Sequence, residues 1–340
     1  MPWESCSLCS PARAGGGALR ALAPLTLLII APFGASGSPF LYVANNGNGS
    51  VSVIDAATNS IAKTITGLDD PSSVAITPDD KEVYVGSPGA DTIWVIDTAT
   101  NTVTSTFEVT VPGYGFGFAP QGMVFSPDGS RLWVTTGSQD YVVLIDTADH
   151  DGLAAIYGFD DPTGEAITPN GDYLYVVDSG QGSQAVSVLS TATRSVTQII
   201  HGFSLPTDIA IDSTGTYGYV ADHDGAVSVL DLGTNVITNT IFGFQGAGGT
   251  TIAPGGTTAY EVSSDYNAVA EFSTVTDSFL ASILLSGVPN AMAITPDGNY
   301  GYITVGGNGA GAVQVIYTYN NTVVDTITGV DNPQGIALDP

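Results

Sequence analysis

One short pattern returns along most of the chain, at intervals of 41 to 49 residues. Each copy starts with a tyrosine or tryptophan between small or apolar residues, such as "LYV" or "VYV". The seven copies begin at Leu41, Val83, Leu132, Leu174, Gly218, Ala259 and Gly301. A period of this size is typical of proteins in which each repeat is one supersecondary unit. The repeat therefore constrains the fold more than any other feature of the sequence.

Each repeat contains the signals of four short strands. A second strand ends in an Asp-x-x-Thr-Asn turn, as in "VIDAATN" (53–59) and "VIDTATN" (95–101), and a proline opens the fourth strand, as in "PSSVAITPDD" (71–80). The segments are alternating or β-branched and are bounded by Gly, Pro, Asn and Asp, which is typical of strands and turns. Aspartate and threonine side chains can bind their own backbone in such turns, so much of the acidity is turn chemistry.

Four antiparallel strands in each of seven repeats predict an all-β fold, a seven-bladed β-propeller over residues 38–340. The chain enters on the strand at Leu41 and ends on a proline-opened strand, Pro333 to Pro340. We expect this last strand to pair with the N-terminal strands, which closes the ring and removes both free sheet edges. A stacked open solenoid is the alternative, and the complementary ends argue against it.

The repeats "LYVANNGNGSVSVIDAATNSI" (41–61) and "VYVGSPGADTIWVIDTATNTV" (83–103) resemble the YVTN-type propeller repeat. That family contains exported and cell-surface proteins of bacteria and archaea. The resemblance covers residues 40 to 340 and implies the fold more specifically than any activity. The sixth repeat departs most, because Glu261 replaces the usual valine and "EFSTVTD" lacks the Ile-Asp pair.

The first 37 residues have the order of a secretory signal peptide. Arg13 and Arg20 precede an apolar run, Ala21 to Phe33, and small residues follow. The run has 13 residues, whereas a spanning helix needs about 20, so a permanent anchor is the weaker interpretation. We expect cleavage, no later membrane insertion, and a periplasmic, cell-surface or extracellular location. The only cysteines, Cys6 and Cys9, lie in this leader.

The chain is strongly acidic, with 33 Asp and Glu against six Lys and Arg and a net charge of −27. Such a surface repels nucleic acids and anionic membranes and favours cations or neutral ligands. We therefore expect the partner to be a protein or a small neutral or cationic ligand. We also expect a monomer.

A ligand site is predicted at the channel mouth, where the loops before the proline-opened strands and after the aromatic strands should share one face. The longest loop, Val111 to Pro120, alternates glycine with aromatic residues that could stack on a sugar or a peptide, or cover the channel. The alternative is that these aromatics pack on a neighbouring blade. The predicted ligand-binding residues are Tyr114, Phe116, Phe118, Gln121, Asp160, Asp161, Thr163, Asp222, His223 and Gln334.

No cofactor is predicted, with Ca²⁺ as the one alternative, because carboxylates cluster in the same loops. The candidate ligands are Asp69, Asp70, Asp160, Asp161 and Asp331. Stabilisation of turns explains the same residues without a metal.

Two glutamates break apolar columns of the repeat. Glu165 stands where other inner strands have Val74 or Met123, and Glu261 stands where others have valine or isoleucine. Such exceptions concentrate at functional sites, but these two belong to different blades, so the sequence does not place them together. No catalytic motif such as G-x-S-x-G or H-E-x-x-H is present.

The main prediction is an exported, non-enzymatic β-propeller that acts as a binding or protein-interaction module. The alternative is a lactonase-like propeller hydrolase or lyase acting on a neutral or cationic small molecule. In that alternative, Glu165 and His223 would supply the acid and base groups.

Overall fold

A computed structural model describes residues 39–108, 119–306 and 311–339, all within one compact unit. These residues form 28 β-strands and three short 3₁₀ helices, Asn46–Asn48, Pro88–Ala90 and Gly137–Gln139. None of the helices in the described ranges is long and apolar enough to span a bilayer.

The strands form seven sheets, and each sheet has four strands in antiparallel order. Blade 1 contains β28 (Pro333–Asp339), β1 (Phe40–Asn45), β2 (Ser50–Asp55) and β3 (Ser60–Thr66). Blade 2 contains β4 (Ser73–Ile76), β5 (Glu82–Ser87), β6 (Thr92–Asp97) and β7 (Thr102–Glu108), and blade 3 contains β8 (Met123–Phe125), β9 (Arg131–Thr135), β10 (Tyr141–Asp146) and β11 (Gly152–Tyr157). Blade 4 contains β12 (Pro162–Ile167), β13 (Tyr173–Asp178), β14 (Ala185–Ser190) and β15 (Ser195–His201), and blade 5 contains β16 (Pro206–Ile211), β17 (Tyr217–Asp222), β18 (Ala226–Asp231) and β19 (Val236–Phe242). Blade 6 contains β20 (Ala247–Ile252), β21 (Thr258–Ser263), β22 (Ala268–Ser273) and β23 (Ser278–Leu284), and blade 7 contains β24 (Val288–Ile294), β25 (Tyr300–Gly306), β26 (Gly311–Tyr317) and β27 (Thr322–Val330).

The blades close into a ring. The innermost strands contact one another in the order β28, β4, β8, β12, β16, β20, β24 and back to β28. Closure comes from β28, which pairs with β1 and places Leu41 opposite Leu338 and Val43 opposite Ile336. The predicted fold class, the number of blades and the closure of the ring are therefore confirmed.

The core lies between blades. The middle strands are buried on both faces, whereas outer strands such as β3 and β7 are largely exposed. In one interface, Leu41 and Val43 of blade 1 pack against Tyr302, Val313 and Val315 of blade 7. Because each blade contributes both faces of its middle strands, a blade is stable only with neighbours on both sides.

The repeated Asp-Thr-Ala-Thr-Asn turn has a structural explanation for most of its residues. Asp97 Oδ1 accepts hydrogen bonds from the Thr100 backbone N–H (2.8 Å) and hydroxyl (2.7 Å). The Thr98 hydroxyl donates to the Asp80 carbonyl (2.8 Å), which joins this turn to the hairpin before it. Asn101 adopts φ 53°, a left-handed conformation that asparagine tolerates better than most residues.

In blades 1, 2, 4, 5 and 7, the repeated tyrosine forms a hydrogen bond with this turn in the next blade. In blade 6 the Tyr260 hydroxyl donates to Glu271 of its own blade instead. The Tyr42 hydroxyl donates to Asn101 Oδ1 (2.6 Å), and the Tyr302 hydroxyl donates to Asn59 Oδ1 (2.8 Å). The turn residue at this position has positive φ in all seven blades: Asn59, Asn101, His150, Arg194, Asn235, Asp277 and Asn321. The recurring tyrosine and asparagine of the sequence are therefore the two partners of one inter-blade contact.

Blade 3 departs from this contact. Trp133 replaces the tyrosine and Arg194 replaces the asparagine of the next blade. A cavity of about 200 Å³ opens between them and is lined by both side chains. The cavity lies at the end of the blades that carries the Asp-x-x-Thr-Asn turns, which we call the turn end. The loops predicted to bind a ligand lie elsewhere.

Replacing Tyr302 by phenylalanine should destabilise the protein by about 1–2 kcal/mol, because Asn59 Oδ1 and the Ala56 carbonyl lose a buried donor. Denaturant unfolding of the wild type and the variant measures this difference. Tyr173→Phe is the control, because that tyrosine is 43% exposed at the start of β13. Equal stability of Tyr302→Phe and the control would show that the inter-blade hydrogen bond contributes nothing measurable.

Candidate functional site

The two predicted sets of loops meet at one end of the ring, which we call the mouth face. In blade 1 the Gly47 N–H donates to the Asp331 carbonyl (3.1 Å), and in blade 4 the Gly180 N–H donates to the Asp160 carbonyl (3.0 Å). In blade 5 the His223 N–H donates to the Leu205 carbonyl (3.0 Å). In each of these blades, the loop that follows the aromatic strand (β1, β13 or β17) thus supports the loop that precedes the innermost strand.

The predicted ligand-binding residues differ in their exposure on this face. Tyr114, Phe116 and Phe118 lie outside the described residues. Gln121 and His223 are exposed, and Asp222 is buried. The remaining members are partly exposed: Asp160, Asp161, Thr163 and Gln334.

Asp222 holds a loop in place from beneath. Its Oδ1 accepts the Ser204 N–H (3.0 Å) and its Oδ2 accepts the Ser228 hydroxyl (2.5 Å). Burial raises the pKa of Asp222. Both oxygens are occupied within the protein, so the contribution of this side chain to the mouth is the shape of the Ser204 loop.

The candidate metal ligands also serve the loops. Asp70 Oδ2 accepts the Gly89 N–H (3.1 Å), and Asp70 Oδ1 accepts from Asn46 Nδ2 of the preceding blade. Asp161 donates its N–H to Asp140 Oδ1 (2.9 Å). Within the described ranges, no three His, Cys, Asp or Glu side chains come together in a group that could hold a metal ion. The geometry therefore offers no support for the Ca²⁺ alternative, which stays a prediction from sequence.

A row of three carboxyl groups lies beneath the mouth face, and Glu165 of β12 is its first member. Its Oε2 accepts the Thr135 hydroxyl of blade 3 (2.9 Å). The carboxyl group rests against Gly122, where a Cβ atom would overlap it. A glutamate at position 165 therefore requires a glycine at position 122 of the neighbouring blade.

Asp208 of β16 is the second member. Its Oδ2 accepts the Thr250 N–H of blade 6 (3.2 Å). On its other side, a Cβ atom on Gly164 would lie 2.6 Å from Oδ1. Asp208 therefore occupies space left by a glycine, as Glu165 does.

Glu261 of β21 is the third member and is fully buried. Its Oε1 accepts the Gly249 N–H (3.0 Å) and its Oε2 accepts the Thr250 hydroxyl (2.5 Å). Thr250 thus donates its N–H to Asp208 and its hydroxyl to Glu261. One residue connects two carboxyl groups from neighbouring blades.

The three groups affect one another electrostatically. Burial raises the pKa of Asp208 to about 6 and the pKa of Glu261 to about 8, and it raises the pKa of Glu165 well above its usual range. The charge of Asp208 raises the pKa of both glutamates further. Because the two ion pairs found in the described residues are Lys81–Asp79 and Arg131–Asp146, no cation offsets this effect there. The row therefore carries fewer charges at neutral pH than three carboxylates would.

Glu165 and Asp208 lie close to the mouth. They are the third and second residues after the prolines that begin β12 and β16. At a rise of about 3.3 Å per residue, this places them about 7–10 Å below the mouth face. Glu165 and Asp208 retain partial solvent access, so a small ligand entering from the mouth would meet them first.

Sequence reasoning identified Glu165 and Glu261 as exceptions but missed Asp208, which interacts electrostatically with both. The signal was available, because the column of Asp208 otherwise contains only small residues: Ser73, Gly122, Gly164, Gly249, Ala291 and Gly335. The predicted partner of Glu165, His223, makes its described hydrogen bonds through its backbone to Leu205 and Gly246. The described contacts therefore link Glu165 to Asp208 and not to His223.

The carboxyl row makes stability depend on pH. In the folded protein Glu261 keeps a proton up to about pH 8, whereas the unfolded chain releases it near 4.5. The resulting stabilisation is complete below about pH 4.5 and is lost as pH rises through about 8. Protonated Asp208 also stabilises the fold, and this stabilisation is lost as pH rises through about 6.

The turn aspartates have the opposite effect on stability. Hydrogen bonds lower the pKa of Asp128 to about 2, so the stabilisation that it provides is lost on acidification.

The melting temperature should therefore be highest at mildly acidic pH and fall by pH 9. Glu261→Gln should flatten this fall, because glutamine stays neutral and its amide can donate to the Thr250 hydroxyl. One pKa unit corresponds to about 1.4 kcal/mol, so ionisation of Glu261 should lower the free energy of unfolding by several kcal/mol as pH rises. Glu108→Gln, at an exposed position of β7, is the matched control. An unchanged slope in Glu261→Gln would show that Glu261 does not carry the pH dependence.

Comparison with solved structures gives neighbours of the same fold. A functionally unknown protein from Desulfotomaculum acetoxidans matches with TM-score 0.77 and 20% identity, over 89% of this chain and 99% of that chain. Hydrazine synthase from Kuenenia stuttgartiensis matches with TM-score 0.70 and 20% identity, over 86% and 93%. The dihydro-heme d1 dehydrogenase NirN, in complex with DHE, matches with TM-score 0.66 and 14% identity, over 88% and 74%. At these identities the likeness concerns the fold alone.

Among curated proteins, no significant match is found. The family comparison is more informative, because the YNCE-like beta-propeller model matches residues 5–339. This agrees with the resemblance to YVTN-type repeats and with the seven blades of the ring. The chain belongs to the YNCE-like beta-propeller family.

Proposed function

We propose that this protein is an exported, non-enzymatic binding or protein-interaction module whose mouth face recognises neutral or cationic groups. The observation that carries the proposal is the contrast between the two ends of the ring. The turn end repeats from blade to blade, whereas the mouth end varies and has the carboxyl row beneath it.

The turn end has few groups left for a ligand. The hairpin turns satisfy their own polar side chains, as in Thr77 to Asp79 (2.9 Å), Ser126 to Asp128 (2.6 Å) and Thr295 to Asp297 (2.6 Å). A repeated, internally bonded surface supports the fold. In repeat proteins, binding is usually a property of the positions at which the repeats differ.

The mouth end has the polarity that a neutral or cationic ligand needs. Gln121 and His223 are exposed there, and Glu165 and Asp208 lie beneath them. A protonated carboxyl group donates and accepts hydrogen bonds, and an ionised one attracts an ammonium group. The net charge of −27 disfavours anionic ligands. Small amines, polyols and uncharged or basic peptides are therefore the classes to test.

Export is proposed on the basis of the leader and the repeat family. Arg13, Arg20 and the apolar run Ala21–Phe33 have the order of a cleaved signal. A location in the periplasm or at the cell surface would expose the mouth face to ligands and protein partners outside the cytoplasm.

A thermal-shift screen of the protein against amines, neutral sugars, short peptides and divalent cations, at fixed ionic strength, tests the proposal. A ligand of the proposed class should raise the melting temperature by several degrees through linkage. Asp208→Asn should reduce that shift, whereas Asp79→Asn at the turn end should leave it unchanged. Equal loss of the shift in both variants would contradict recognition at the mouth.

The sequence-based prediction about the long loop can be tested with the same ligand. Simultaneous replacement of Tyr114, Phe116 and Phe118 by alanine should abolish binding and leave the unliganded melting temperature nearly unchanged. Undiminished binding would exclude the loop as a recognition element, and unfolding would favour the packing alternative.

A second candidate is a hydrolase or lyase, and the proximity of Glu165 to Asp208 is the observation that favours it. Two carboxyl groups with raised and different pKa values are a common acid and base arrangement. Turnover of a neutral or cationic ester or lactone that is lost in Glu165→Gln, with the fold intact, would establish this candidate. Full turnover in that variant would exclude Glu165 as its acid or base.

A further inference from the structure

The outer edge of blade 6 differs from the edges of the other blades. Its outer strand, β23, exposes Phe279 (42%), Leu280 (49%) and Leu284 (74%). No other strand in the described ranges exposes as many large apolar side chains. Within those ranges β23 pairs on one side only, with β22. We call this surface the β23 edge.

Proteins usually protect such edges with charges or proline. Blade 1 has Lys63 on its outer strand, and blade 2 has Glu108. β23 contains neither a charged residue nor a proline. The outer strands β11 and β19 also lack both, but each exposes only two large apolar side chains, against three in β23. β23 has a bulge at Leu280, because Glu271 of β22 pairs with Ala281 and the next residue, Phe272, pairs with Phe279. The segment from Ala281 to Leu284 stays in regular register.

The apolar surface continues past both ends of β23. Phe242, 73% exposed, ends the outer strand of blade 5, and the following Gly243 lies beside the Phe279 ring. At the mouth end, the Leu285 N–H donates to the Asn267 carbonyl (2.8 Å). This bond brings the exposed Tyr266 close to the end of β23.

The charges around this edge are all of one sign. The sequence has no lysine or arginine after Arg194, so blades 5 to 7 contain acidic residues and neither of these basic residues. Asp277 directly precedes β23, and Asp265 lies next to Tyr266 at the other end. An apolar strand edge with a carboxylate near each end is complementary to an apolar strand with a cation near each end.

We propose that the β23 edge docks an extended segment of a partner protein, with Lys or Arg near both ends and apolar residues between them. The partner strand adds to β23 through main-chain hydrogen bonds, and Leu284 and Leu280 pack against its side chains. A second copy of this chain fits less well, because it also has a net charge of −27.

The probe is an acetylated and amidated peptide as long as β23, with lysine at both ends and alternating valine and threonine between them. There are two companion peptides. One has glutamate in place of both lysines, and the other keeps the lysines but has proline at alternate central positions, which removes main-chain donors. Fluorescence anisotropy with the full chain at fixed ionic strength should show binding of the first peptide and of neither companion. Failure of that peptide to bind would overturn the proposal.

Leu284→Asp separates apolar docking from simple attraction to an acidic protein. The variant should weaken binding at least about tenfold, because it removes the most exposed apolar side chain of β23. Attraction by charge alone would instead become stronger. Thr66→Asp, at the same position of the outer strand of blade 1, is the matched control and should leave binding unchanged.

Three further results would overturn the proposal. Unchanged or tighter binding by Leu284→Asp would reduce the effect to charge, and equal weakening in Thr66→Asp would locate it elsewhere. Sedimentation of the free protein gives the third. If the wild type forms a dimer that Leu284→Asp abolishes, the occupant of the edge is a second copy and not a basic partner.

Discussion

The bond from the tyrosine of one blade to the left-handed turn of the next joins features that would otherwise be separate. The bond needs a tyrosine on the strand next to the innermost one, and a turn in the next blade that ends in a residue with positive φ. The side chain of that turn residue must be able to accept a hydrogen bond. Tyr42 with Asn101 and Tyr302 with Asn59 satisfy all three conditions. Apolar packing between blades supplies most of the stabilisation but little direction. The hydroxyl group and its acceptor add direction, because they meet only when two blades have the correct rotation and height.

The carboxyl row depends on the same ring in a different way. Glu165 and Asp208 occupy positions opened by glycines on neighbouring inner strands, and Glu261 depends on Gly249 and Thr250 of its own blade for hydrogen bonds. Burying such groups costs stability unless they are hydrogen-bonded or protonated. Both forms of compensation occur here. The ring therefore tolerates three acids near its channel because small residues and raised pKa values accompany them.

The fold could be predicted from sequence because its signals recur. Seven copies of the aromatic strand, three of them followed by a full Asp-x-x-Thr-Asn turn, make the interpretation independent of any one copy, including the altered sixth. The candidate site could be predicted only in part. Glu165 and Glu261 stand out as charges in apolar columns, but their relation to Asp208 depends on how three blades are arranged in space. Asp222, with an ordinary loop sequence, is buried beneath the mouth, which the sequence alone does not reveal.

Ring closure by β28 has a consequence for the order of folding. Phe40 pairs with Asp339, so the first strand of the propeller waits for a strand that is synthesised after all six other blades. Blades 2 to 7 are each continuous in sequence and can form as they emerge, whereas blade 1 cannot be completed until β28 has been synthesised. Contacts between such distant residues form slowly because a long loop must close first. A nascent chain of this protein is therefore an open arc with two unsatisfied ends, and completion of blade 1 is the step that turns the arc into a folded molecule.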